Sequence, residues 1–116
     1  MIDTSSQYQQ ERLGAFLQAQ IPALLSLAES VLAFESDTAQ VDARVWDLLE
    51  SWQQLGPAQG PATELEQAFW DLLGLMHRHQ PYQLRGHRVL RQHLEASIRF
   101  LKGQAEYRPD GIAVRP

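Results

Sequence analysis

Apolar residues recur at helical spacing along nearly the whole chain. Leu13, Phe16, Leu17, Ile21, Leu24, Leu27, Ala28 and Val31 fall on one stripe of a 3.6-residue period. A second stripe runs through Val41, Val45, Leu48, Leu49, Trp52 and Leu55. A third holds Leu65, Ala68, Phe69, Leu72, Leu73 and Met76, and a fourth Leu90, Leu94, Ile98, Leu101 and Ala105. β-branched residues are few, and no alternating segment of strand length precedes the last residues. The pattern predicts an all-α protein.

Punctuation between the stripes sets the boundaries. Residues 3–6 offer several N-cap oxygens, and Thr4 with Gln7 has capping-box spacing. Ser36 and Asp37 cap the second helix, and Gly56-Pro57 stops it. Gly60-Pro61 opens a third helix over residues 62–79, which Gln80-Pro81-Tyr82 breaks. A fourth helix is expected over residues 86–106, then a turn at Pro109-Asp110-Gly111. The expected architecture is an antiparallel four-helix bundle over residues 1–106 with an extended tail over 107–116. Pro22 lies opposite the first stripe, on the solvent side. An unbroken first helix to Phe34 would be roughly 45 Å long, so it either overhangs the bundle or breaks at Pro22, giving five helices.

Val45-Trp46-Asp47-Leu48-Leu49 recurs as Phe69-Trp70-Asp71-Leu72-Leu73, which reads as a short duplicated unit. Trp46 and Trp70 each lie about 140° from the first stripe residue of their helices, at the edge of the expected core face. That side is a candidate homodimer contact, because indoles are enriched at interfaces. Asp47 and Asp71 are expected to face solvent.

Charge is sharply segregated. Residues 1–77 hold 2 basic and 11 acidic residues, and residues 78–116 hold 8 basic and 3 acidic. All four histidines lie beyond position 76. His77, His79, Tyr82 and Arg85 mark an Arg/His-rich loop, and Arg88, Arg91, Glu95, Arg99 and Lys102 fall within an arc of about 80° on the fourth helix. Trp70, His77, His79, Tyr82, Arg85, Arg88, Arg91, Arg99 and Lys102 are the candidate partner-binding residues, suited to a protein with an acidic surface. His87 is expected to cap or partly bury at the start of that helix.

Other classes fit less well. No Cys is present, which removes disulfides, thiolate metal sites and cysteine nucleophiles and agrees with a cytoplasmic location. The apolar run over residues 21–34 is broken by Ser26, Glu29 and Ser30, and no membrane span is expected. The histidine spacings make no metal site, and neither a cofactor loop nor a catalytic set is visible. A net charge of −4 disfavours a dedicated duplex-DNA binder.

Two short runs bear a resemblance to known families. Arg88-Val89-Leu90-Arg91-Gln92-His93 resembles the Arg-x4-His motif of the HEPN superfamily, helical bundles that include RNases. That resemblance implies His93 as acid/base and Arg88 on the phosphate, with Val89 where the family carries a polar residue. Arg99-Phe100-Leu101-Lys102-Gly103-Gln104-Ala105 is similar to the run around the phospho-accepting His of histidine phosphotransfer domains, but Arg99 stands at the His position. Arginine cannot take up that role. The sequence thus supports a non-enzymatic protein-binding module, an adaptor, a chaperone-like accessory or an immunity/antitoxin-type protein. The alternative is a phosphate-directed protein, an RNase of the HEPN type or a single-strand RNA binder using Tyr82 and its arginine neighbours.

Overall fold

A computed structural model describes residues 4–56, 62–105 and Pro116. Five helices follow one another: α1 Thr4–Leu32, α2 Thr38–Leu55, α3 Glu64–Arg78, α4 Pro81–Gly86 and α5 Arg88–Leu101. No strand occurs among the described residues. The expected Thr4–Gln7 side-chain contact, the turn at Pro109–Gly111 and the tail before Pro116 lie outside the described residues.

Pro22 sits inside α1 without ending it. Its ring is exposed, on the side away from the buried Leu17, Leu24, Ala28 and Val31. The helix therefore loses one backbone hydrogen bond but keeps its core stripe intact. Residues 10–32 form an apolar stretch longer than the 21–34 run, with mean hydropathy 1.3, long and apolar enough by composition to cross a membrane. Protein covers one face of its last three turns, where Leu24, Ala28 and Val31 are no more than 1% exposed, while only 28% of its apolar window is buried.

Asp37 caps α2 as expected. Its side chain accepts from the Gln40 N–H at 2.9 Å, and the Gln40 side chain accepts in return from the Asp37 N–H at 2.9 Å. Thr63 caps α3 by accepting from Glu66 N–H at 3.1 Å.

The expected fourth helix is α5, and the loop expected before it holds a short helix, α4. Pro81 lacks an N–H and has a φ suited to a first helical turn, so it begins α4 rather than merely breaking α3. His87 then adopts an extended conformation and its Nδ1 accepts from Leu90 N–H at 3.4 Å, capping α5. Thr38 donates to the Gln80 side chain at 2.6 Å, which ties the start of α2 to the start of α4.

Helix α3 is the centre of the molecule. It packs on α1, α2 and α5, and nine of its fifteen residues are buried. A helix with neighbours on three sides has no broad solvent face, so the single-stripe expectation fails there. Trp70 is 4% exposed and Asp71 2%, whereas Leu65, expected inside, is 43% exposed in the first turn. Phe16, Trp52, Phe69 and Trp70 form one aromatic cluster, with ring centroids 4.8 to 6.3 Å apart in the contacting pairs. Helix α5 leans from α3 toward α1: His93 meets Asp71 on α3, and Lys102 reaches Glu29 on α1.

Candidate functional site

The end of α1 and the short α4 meet at one corner. Helix α1 closes with Phe34 N–H donating to the Val31 carbonyl at 3.3 Å and Glu35 N–H to the Ser30 carbonyl at 2.9 Å. This pair of bonds is the Schellman closure, which needs a left-handed residue at its turn. That residue is Phe34, with φ 62°, the only non-glycine at positive φ among the described residues. The ring is 77% exposed, so no core burial compensates for the strained backbone.

Arg85, on α4, crosses the same corner. Its Nη1 donates to the Val31 carbonyl at 3.1 Å, satisfying a last-turn acceptor of α1. Its guanidinium carbon lies 4.4 Å from the Phe34 ring centroid, a cation–π contact. Tyr82, one turn earlier on α4, is 66% exposed. Phe34, Tyr82 and Arg85, with Ser36, Asp37, Thr38 and Pro81, line a recess of about 250 Å³. A small recess of mixed polarity, edged by two aromatic rings, a guanidinium and the Asp37 carboxylate, can take a partner side chain.

The cationic flank on α5 survives in part. Arg91 pairs with Glu95 at 3.7 Å, and Lys102 is ion-paired with Glu29. Arg88 and Arg99 are exposed and have no carboxylate partner among the described residues. Two guanidiniums thus remain uncommitted, and Arg85 is held by a carbonyl and a ring rather than by an acid.

The remaining expected residues scatter. His77 is exposed and meets the Trp46 ring edge-on, with centroids 5.6 Å apart at 89°. His79 is half-buried as the cap of α3. Trp70 is not a surface residue. Its ring lies in the aromatic cluster, and its Nε1–H donates to Glu66 Oε2 at 3.0 Å. Trp46 is 60% exposed, so the two indoles do not share one exposed face.

Asp71 is not solvent-facing either. Its Oδ2 lies 2.7 Å from His93 Nε2, and only 24% of the His93 side chain is exposed. The buried carboxylate fixes the ring through Nε2 and leaves Nδ1 as its other nitrogen. No group of three metal-ligating side chains occurs among the described residues. Phe34 had no particular prominence in the sequence. The available signal was a bulky residue, followed by polar Glu35 and Ser36, where a helix stop ordinarily takes glycine.

Compared with protein-family models, with curated proteins and with solved structures, the chain matches none.

Proposed function

We propose that this chain is a non-enzymatic docking module that binds an acidic protein segment at the Phe34–Tyr82–Arg85 corner. The left-handed Phe34 carries the reading. Glycine would close α1 with less strain, and 77% exposure leaves the phenyl ring little use inside the fold. Backbone strain held at an exposed aromatic is the signature of a residue kept for contact. Arg85 pre-orders that ring, which lowers the entropy lost on binding. Arg88 and Arg99 add positive field for steering an acidic partner, and a cytoplasmic adaptor, accessory or immunity-type role accords with the absence of Cys.

The bundle that carries the corner is inferred to be antiparallel in its first three helices. Phe16 in the first half of α1 meets Trp52 near the end of α2, and Trp52 meets Trp70 in the first half of α3. Together α4 and α5 form the fourth side.

Affinity capture from the native cell lysate tests the function, run with and without nuclease on the wild-type chain, Phe34→Gly, and Arg88→Glu with Arg99→Glu. The expected result is a protein partner that survives nuclease and is lost from both variants, while far-ultraviolet circular dichroism stays unchanged. Capture that disappears with nuclease, and falls steeply with salt, would instead establish the single-strand RNA reading. Capture indifferent to Phe34 would refute the proposed corner.

A further inference from the structure

A second surface lies on α2. Trp46, Leu49, Trp52, Gln53 and Gly56 line a groove with a volume of about 580 Å³. Trp46 forms an exposed wall steadied by the edge-on His77 ring. Trp52 is buried in the core, yet its Nε1–H donates to the carbonyl of Pro116 at 3.3 Å. A proline of the chain itself is therefore seated in an aromatic groove, with its carbonyl on an indole N–H.

That contact has a known physical logic. A proline-bearing strand is already extended, so binding orders it at little entropic cost. Its carbonyls point outward without internal partners, and the flat pyrrolidine ring packs on indole faces. Aromatic-lined grooves take such strands for these reasons. Pro116 lines the groove without filling it, and the space remaining is within the range of ligand clefts. Among the described residues one charged side chain lines it, Glu50, and the residue before Pro116 in the sequence is Arg115.

We propose that this groove is a receptor for an extended peptide of another protein that carries a basic residue directly before a proline. Pro116 of the chain itself acts as an intramolecular competitor. The site is separate from the Phe34 corner, and the two proposals stand or fall independently.

The test uses the full chain and the synthetic peptide Ile-Ala-Val-Arg-Pro, followed by the Trp46 and Trp52 indole N–H resonances. Pro116→Gly removes the pyrrolidine ring and leaves only a main-chain carbonyl to compete, so it is expected to bind the peptide roughly tenfold more tightly than the wild type, because a tethered competitor acts at high effective concentration. Trp46→Ala and Glu50→Lys, both at exposed positions, are expected to weaken binding, the first beyond detection. Phe34→Gly is expected to leave it unchanged. No saturable shift of either indole by Pro116→Gly at millimolar peptide overturns the proposal. So does equal binding of a peptide with Glu for Arg and Ala for Pro. Light scattering that shows dimers lost in Pro116→Gly would make a second copy the occupant and refute a foreign peptide.

Discussion

Phe34 and Gly103 occupy the same position in two copies of one motif. Gly103, at φ 75°, donates its N–H to the Phe100 carbonyl at 3.0 Å, and Gln104 donates to Arg99 at 2.8 Å. Phe34 and Glu35 repeat that pattern on Val31 and Ser30 at the end of α1. One helix thus closes with the residue that the left-handed turn favours, and the other with a large aromatic residue.

Phe34→Gly should therefore stabilise the fold. Relief of the left-handed strain contributes about 1 kcal/mol, and loss of the Arg85 contact removes about half of that. The net gain is read as a higher midpoint in urea denaturation with an unchanged slope. A lower midpoint would mean that the ring supports the fold, and the case for a contact role would fail. Gly103→Ala should show the opposite sign, a loss of about 1 kcal/mol.

The pairing of His93 with Asp71 predicts a large structural penalty for removing either partner alone. His93→Ala leaves a carboxylate that is 2% exposed without its imidazole, at a cost of about 3 kcal/mol. Replacing both together, His93→Leu with Asp71→Leu, should cost much less than the single changes combined. A double-mutant cycle in urea measures the coupling. Coupling near zero would show that the two side chains are independent.

Much of the fold was legible because caps and stripes are local. Asp37, His87, Pro22 on the solvent side and the limits of α2 and α3 all follow from chemistry within a few residues. The errors lie where neighbours decide. Trp46-Asp47 and Trp70-Asp71 belong to nearly the same five-residue run, yet the first pair is exposed and the second buried. Helix α2 has an open flank, while α3 is enclosed by α1, α2 and α5. The corner site was half visible. Tyr82 and Arg85 stood out by type, but Phe34 joins them only because α4 folds back onto the end of α1.

The same contrast can be measured at the two indoles. Trp70→Phe retains a ring in the cluster but removes an N–H donor from Glu66, whose side chain is fully buried, at a cost of about 2 kcal/mol. Trp46→Phe should fall within about 0.5 kcal/mol of wild type, as surface changes usually do. Thermal melts of the two variants compare them directly. Equal losses would mean that Trp46 is as much a part of the fold as Trp70, contrary to its 60% exposure.

Pro22 offers the cleanest test of what an interior proline costs α1. A proline in a helix interior removes the bond to the carbonyl four residues earlier, here Gln18, and its ring crowds that carbonyl. Alanine at such a site is favoured by about 3 kcal/mol in isolated helices. The exposed ring contributes little burial in return, so Pro22→Ala should gain about 1 to 3 kcal/mol, less whatever the helix has already relaxed by bending. For a chain of this size each kcal/mol is about 4 to 8 °C in the melting midpoint. The exposed position also means that the gain should come without change at the Phe34 corner or the Trp46 groove. A fall in the midpoint would show that the ring, or the bend it imposes, is needed to pack the first half of α1 against Trp52 and Phe69, with Phe16 as the contact that transmits it.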